Sequence, residues 1–338
     1  MGGLKVIKVS YKDLLDIYEN EISKCIKNKK KLYNFEKYKI QNITRALNKI
    51  NNFDKEEYNI FLIREPKERI IMSLNLVDKL INHYISRTVL IPKLERYLDI
   101  RNVATRKNMG TSYGLKLLKK YLNLNKKYGE FYVLKLDISK YFYTIDHDKL
   151  KSMLKDKLDI DEYNIVSKII DSTDYKYVNE KIKVVKDGNN LGHIPYYEKG
   201  KGLPIGGLSS QILSVYYSSE VDHYIIHDLK VKYMIHYMDD FILIHKDKEY
   251  LKYCLKQIKH KLEKYSLKLN NNKTEITNIK NGFTFLGYNF KLKGKLIIKL
   301  SNKTRYKKIK NLKTKHKFYK KEKITFQNYF CSVNSYRK

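Results

Sequence analysis

Apolar positions recur along most of the chain at helical or strand spacing, and the changes of period mark its elements. From residue 11 to about 52 the chain reads as Lys-rich helix, with Leu14, Leu15, Ile17 and Tyr18 on one apolar face. "YNIFLIREPKERIIMSLN" (58–75) predicts two short strands around a charged turn at Glu65-Pro66-Lys67. Residues 76–98 carry Leu76, Leu80 and His83/Tyr84 at i, i+4, i+7 spacing, a buried helix. A Gly-containing loop, "TRKNMGTSYG", precedes the strand "FYVLKLDI" (131–138). Asp146 then opens a helix, and residues 175–200 carry Tyr, Val and Gly in the manner of a hairpin. "GLPIGGLSSQ" (202–211) is a Gly/Ser turn feeding a long helix to about residue 229. "YMIHYMDDFILIH" (233–245) reads as a hairpin, followed by the helix "KEYLKYCLKQIKHKLEKYSL". "GFTFLGYNF" alternates like a strand, and a basic tail runs from about Lys291. The order is mixed, α+β, with an antiparallel hairpin at its centre.

One feature breaks the pattern. Asp239 and Asp240 stand side by side between strand-forming flanks, although strands disfavour Asp. At about 4 Å and an effective dielectric near 20, two carboxylates repel by roughly 4 kcal/mol. An isolated Asp-Asp pair would suit a solvated turn, but these flanks are too apolar for an ordinary exposed loop. At a hairpin tip the pair is a ligand set for a hard divalent cation, and Mg²⁺ takes one or two carboxylates plus substrate phosphates. A third carboxylate belongs on a neighbouring strand, and Asp137 ends the apolar run "FYVLKLD". Asp146 and Asp148 are set aside, because Asp146 precedes a helical pattern and suits its N-cap.

Composition narrows the partner. The 338 residues are 42% hydrophobic, enough for two or three packed subdomains. The formal charge of +34 points to a polyanion, of which nucleic acid is the commonest. Only nine of the 70 basic residues are Arg, while Lys, Asn, Ile and Tyr abound, a bias an AT-rich coding sequence also produces. Charge therefore says nothing of specificity. Cys25, Cys254 and Cys331 lie far apart with no CxxC pair, which argues against a zinc site or disulfide framework and fits a reducing cytoplasm. The N-terminus lacks a signal-peptide core, and no apolar run approaches 18 residues, so a soluble cytoplasmic protein with no membrane partner is expected.

"HYMDDFILI", "LDISKYFYTIDH" (136–147) and "GLPIGGLSSQ", in that relation, resemble the palm of reverse transcriptases. "NNNKTEI" (270–276) and "FTFLGY" (283–288) resemble the two motifs that follow it, and "FLIREPKERIIMSLNLVDKLINHYI" and "ATRKNMGT" resemble fingers motifs of bacterial, group-II-intron-like enzymes. The resemblance spans about residues 58 to 290, with the blocks in family order. It implies a right-hand polymerase of fingers, palm and short helical thumb around an antiparallel palm sheet. The implied division is an N-terminal helical extension (1–57), fingers (58–130), palm (131–282, with a finger-like hairpin about 171–202), and primer grip with short basic thumb (283–338).

By matching position, the resemblance assigns two Mg²⁺ to Asp137, Asp239 and Asp240, with the Ile138 carbonyl as a further ligand. It places Lys67, Arg69, Ser139, Phe142, Ile205, Gly206, Gln211 and Lys273 around the dNTP. Arg69 would grip phosphate, Phe142 would be the steric gate against a 2′-hydroxyl, and Lys273 would protonate pyrophosphate. Phe285, Leu286, Gly287 and Tyr288 match the primer grip, and Arg106 and Lys107 would contact phosphate backbone. A core aromatic, a surface turn and a core strand are the plain readings of Phe142, Lys67 and "FTFLGY". Where most of the family reads QGxxxSP, this chain reads Ile205-Gly206-Gly207-Leu208-Ser209-Ser210-Gln211. That variant resembles enzymes of diversity-generating retroelements, which copy a template RNA with errors opposite adenine. Ile in place of an amide removes a polar check on pair geometry, worth about 1 kcal/mol per hydrogen bond, unless Ile205 only packs the helix start. The resemblance further implies template RNA, an RNA/cDNA duplex and a small basic accessory protein as partners. An antiphage-defence reverse transcriptase and a catalytically inactive RNA-binding scaffold are the competing readings.

Overall fold

The computed structural model describes residues 8–64, 67–189 and 191–335. Glu65 and Pro66 of the expected charged turn lie outside the described residues, as do residues 1–7 of the N-terminal extension and 336–338 of the thumb. The sheet at the centre is built from β3 (Tyr132–Asp137), β4 (Tyr233–Tyr237), β5 (Asp240–His245) and β6 (Glu275–Asn278), in the order β4-β5-β3-β6 with every pair antiparallel. Alternation explains why β3, β4 and β5 read as largely apolar runs. Leu134, Leu136, Met234, Phe241 and Leu243 point into the larger core, shared with the N-terminal helices and the helix Leu208–Tyr217. Val133, Ile235, Ile242 and Ile244 point the other way, onto Leu118 and Leu122 of the helix Thr111–Asn125 and onto Phe283, Phe285 and Phe290. Strands covered on both faces favour near-continuous apolar runs.

Two smaller sheets flank it. β1 (Tyr58–Ile63) and β2 (Arg69–Leu74) form the expected hairpin, with Ile63 opposite Arg69. β7 (Phe283–Phe285), β8 (Tyr288–Lys293) and β9 (Lys295–Leu300) form a three-stranded meander. The basic stretch from Lys291 is therefore not a tail: it completes β8, forms β9 and continues as the helix Asn302–Lys320, capped by Ser301. Leu292, Leu296 and Ile298 between its lysines pack on the second core and carry the strands.

A further correction concerns residues 175–200. The expected finger-like hairpin is a short turn, Asp171–Asp174, followed by the helix Lys176–Asp187. Its Tyr and Val content suggested strand, but Val178 and Ile182 at i, i+4 are fully buried with Ile70, Met72 and Tyr197, and a helical stripe prevails over β propensity. Residues 11–51 are helical as expected, though interrupted around residues 26–28. Asp146 caps the helix His147–Leu154 by accepting the Lys149 N–H at 3.1 Å. Among the described residues no helix is long and apolar enough to cross a membrane.

Candidate active site

Strand register brings the acidic residues together. Asp137, the last residue of β3, is paired directly with Asp240, the first of β5. Directly opposed residues share a face, here the one carrying Val133, Ile242 and Ile244 toward the β7–β9 meander. Asp239 lies in the tight turn between β4 and β5, and its carbonyl accepts the Ile138 N–H at 2.9 Å. Segments 137–138 and 239–240, about a hundred positions apart in the chain, thus share one sheet end. Asp137 is 4% exposed. Burial, then the charges of Asp239 and Asp137, push the Asp240 carboxyl up to about 6. Burial also raises Asp239, with Asp137 adding to the rise and Lys273 and Arg69 opposing it.

The turn has a support that the sequence reading missed. Met238 has a left-handed backbone, φ 59°, a conformation that costs a non-Gly residue energy and needs bracing. His236 Nε2 lies 2.6 Å from the Met238 carbonyl oxygen, while its Nδ1 lies 3.0 Å from a carboxylate oxygen of Asp222. Asn102 donates to that same oxygen at 2.8 Å, and Phe241 stacks on the imidazole at 3.7 Å. His236, Asp222 and Asn102 are all fully buried. The available signal was a histidine inside an otherwise apolar strand beside the Asp pair.

The remaining residues fall into three groups. Lys273 reaches the centre: its ammonium lies 2.6 Å from Asp137 Oδ2. Asn270 makes this possible, its N–H bonding the Asp137 carbonyl at 2.8 Å and its side chain folding the turn that delivers residue 273. Ser139 is anchored beside it through its N–H to the Lys268 carbonyl at 2.8 Å. Arg69 is exposed at the start of β2, and its charge is felt at Asp239; Lys67 is an exposed bend residue.

Phe142 follows Lys140, whose φ of 51° turns the chain into the single helical turn Tyr141–Thr144. Its ring is half-buried, and its carbonyl accepts the Leu203 N–H at 2.7 Å, tying it to the Gly-rich loop. That loop docks on β2 through the Ile205 carbonyl, which accepts the Met72 N–H at 2.9 Å. Gly206 has φ 135°, and a Cβ there would lie 2.9 Å from the Met72 carbonyl oxygen, so only glycine permits the approach. Gln211 is half-buried one turn into the following helix.

Phe285, Leu286, Gly287 and Tyr288 do not form one strand. Leu286 and Gly287, both with positive φ, make the turn between β7 and β8. The Gly287 carbonyl accepts the Ser301 N–H at 2.9 Å, which fixes the turn to the start of the basic helix. Arg106 differs from expectation: it is bound internally, to Glu95 at 3.1 Å and to the Asp99 carbonyl at 2.8 Å, and is not offered to a phosphate backbone.

The three palm carboxylates do not have ligand oxygens all within 4.8 Å of one another; among the described residues that condition is met by His147, Asp171 and Asp174. The Lys273 ammonium pairs with Asp137 alone of the three. The donor set nonetheless suits a hard divalent cation: all-oxygen, buried at Asp137 and half-buried at Asp239 and Asp240, and mutually repelling where Asp239 meets Asp240.

A mixed helix–strand fold with an antiparallel palm sheet, acidic residues at one sheet end and a fingers hairpin docked beside them define a right-hand polymerase. A family model described as reverse transcriptase (RNA-dependent DNA polymerase) matches residues 55–290, and the chain belongs to that family of nucleotidyltransferases. No curated protein matches the chain. Among solved structures, telomerase from Candida tropicalis truncated from its C-terminal domain is 18% identical, with TM-score 0.48, over 72% of this chain and 55% of that one. Telomerase from Candida albicans in complex with a TWJ fragment of telomeric RNA is 17% identical, with TM-score 0.49, over 74% and 46%. The chain spans about half the length of these telomerases.

Proposed function

We propose that the protein extends a DNA primer along an RNA template, with Asp137, Asp239, Asp240 and the Ile138 carbonyl holding two Mg²⁺ beside the primer end. The observation that carries this reading is the register that sets Asp137 opposite Asp240 with Asp239 in the adjoining turn. Bound there, the ions would supply an activated 3′-hydroxyl and charge neutralisation on the departing pyrophosphate. The chain's own groups do the positioning. Arg69 faces the triphosphate from the fingers hairpin and, as a planar guanidinium, grips it bidentately. Lys273 exchanges its pairing with Asp137 for the pyrophosphate, to which its ammonium gives a proton. Ser139, Gly206 and Gln211 line the nucleotide's place, Phe142 closes the space beside a ribose 2′-carbon, and the turn at Leu286-Gly287 supports the primer from the same sheet face. The division into an N-terminal extension, fingers, palm and thumb belongs to the same proposal, with the helix Lys176–Asp187 in place of a finger hairpin.

Within this reading Ile205 narrows the biology. An aliphatic side chain beside the templating pair cannot hydrogen-bond it, which favours error-prone copying in a diversity-generating retroelement over a defence enzyme. A small basic accessory protein would complete the template complex, with the RNA between two cationic surfaces. The test is primer extension on an RNA template with Mg²⁺ and dNTPs. Asp239→Ala with Asp240→Ala abolishes incorporation, and Ile205→Gln lowers misincorporation opposite adenine by up to about tenfold. Persistent activity in the double variant removes the metal assignment, and an unchanged error spectrum leaves Ile205 as packing. Near-identical repeats differing at adenines in the adjoining DNA would support the retroelement role; their lack favours defence.

A further inference from the structure

A second convergence of ligand atoms lies outside the palm carboxylates. His147, Asp171 and Asp174 each present one atom such that all three lie within 4.8 Å of one another. The His147 side chain is 1% exposed, and its Nδ1 is buried without a hydrogen-bond partner. That nitrogen lies 3.2 Å from Asp171 Oδ1 and 3.6 Å from Asp174 Oδ2. The other ring nitrogen, Nε2, lies 2.7 Å from the Gly202 carbonyl oxygen, with the Thr173 hydroxyl at 3.4 Å. A carbonyl accepts only, so Nε2 carries the proton, and in the neutral ring the Nδ1 lone pair points at two carboxylates. This is the arrangement of a metal-ligating histidine, whose second nitrogen donates to a backbone carbonyl and fixes the tautomer.

We propose that His147 Nδ1, Asp171 and Asp174 form a binding site for one divalent cation of the Zn²⁺ or Mn²⁺ class. One imidazole and two carboxylates suit those borderline cations better than Mg²⁺, which prefers oxygen alone. The carboxylates are 40% and 26% exposed, leaving an open side for water ligands. Both are oriented from outside: the Gly200 N–H donates to Asp174 at 2.9 Å, and Lys151 lies 2.6 Å from Asp171. The Lys151 ammonium offsets part of the Asp171 charge and leaves Asp174 as the stronger carboxylate ligand. The cation would clip together the start of the helix His147–Leu154, the turn Asp171–Asp174 and the segment 200–202 that enters the Gly-rich loop. Its role is to hold that loop's root, apart from the chemistry of the palm.

The test titrates Zn²⁺ into the chelator-stripped full chain carrying Asp239→Asn and Asp240→Asn, which removes two of the three palm carboxylates as ligands. One Zn²⁺ per chain is expected. Adding Asp174→Asn or Asp171→Asn should weaken it by roughly tenfold or more, and Co²⁺ in its place should give a spectrum free of thiolate bands, which excludes the cysteines. No binding, or the same affinity with and without the added substitution, overturns the proposal. Should a variant not fold, ring ¹⁵N shifts of His147 in the Zn²⁺-saturated parent chain decide. A metal-bound Nδ1 supports the site, and two protonated nitrogens mean that His147 is simply an imidazolium paired with two carboxylates.

Discussion

At the scale of single residues, the palm centre is a set of charges held against their own repulsion. The Asp240 carboxyl rises to about 6, mainly through burial, from an ordinary value near 3.8. Between about pH 4 and 6 the metal-free native chain therefore holds a proton that the unfolded chain has lost, and stability falls as pH rises through that window. Glu56, buried just ahead of β1 with Tyr58 and Asn82 donating to it and raised by that burial to about 7, acts with the same sign and extends the decline toward neutrality. With chelator present, Asp240→Asn should flatten the lower part of this decline by about 1–2 kcal/mol, the shift being discounted for partial exposure. Thermal unfolding at pH 4.5 and 7 measures it, and a difference between the two pH values that matches the parent's contradicts the assignment. His236 bears on the same centre by bracing Met238. His236→Gln leaves Asp222 buried with Asn102 as its remaining partner, a loss of about 3–5 kcal/mol. Metal affinity should fall along with stability; a variant that loses stability but keeps parental metal affinity would make His236 a core residue only. Phe142→Ala should raise ribonucleotide use by roughly ten- to a hundredfold, read as the dNTP/rNTP ratio of kcat/KM, and an unchanged ratio removes the gate.

At the scale of elements, legibility followed burial. β3, β4 and β5 were plain in the sequence because both their faces are covered and β-branched and aromatic runs have few other uses, whereas the short, partly exposed β6 was not read as a strand. Asp137 was found from its place at the end of one such run. The helix Lys176–Asp187 was misread because Tyr and Val suggested a strand while the informative residues, Val178 and Ile182, lay one helical turn apart. β9 was hidden by lysines, since a strand at a sheet edge tolerates charge on its open face. The Asp222–His236–Asn102 network joins three distant segments, and no local pattern announces that. The helix Asn302–Lys320 buries none of its residues fully, and its packing includes the stacking of Tyr319 on Tyr329 of the next helix, Phe326–Ser335, so its lysines lie outside the core. Lys310, Lys313 and Lys317 line one groove with Tyr306. Replacing the three by Ala should weaken RNA/DNA duplex binding and lower the salt slope by about two to three, while leaving thermal stability nearly unchanged. A slope equal to the parent's would mean that this helix face does not meet phosphate.

At the scale of the whole molecule, three segments far apart in the chain are carried to one sheet end: 137–138 by β3, 239–240 by the β4–β5 turn, and Lys273 by the turn before β6. The fingers hairpin reaches this end through the Gly206 loop, and the β7–β9 meander closes the same sheet face. That organisation was implied by motif order, whereas the carbonyl-to-amide contacts that lock it were not legible before the fold. Its central claim is that Asp137, Asp239 and Asp240 hold metal jointly. The direct measurement replaces Mg²⁺ by Fe²⁺ and uses ascorbate-driven radical cleavage to map the backbone nearest the ion. The account predicts cuts beside residues 137–139 and 238–240 together, both lost in Asp137→Asn. Cuts confined to one of these segments, or surviving that substitution, would contradict it.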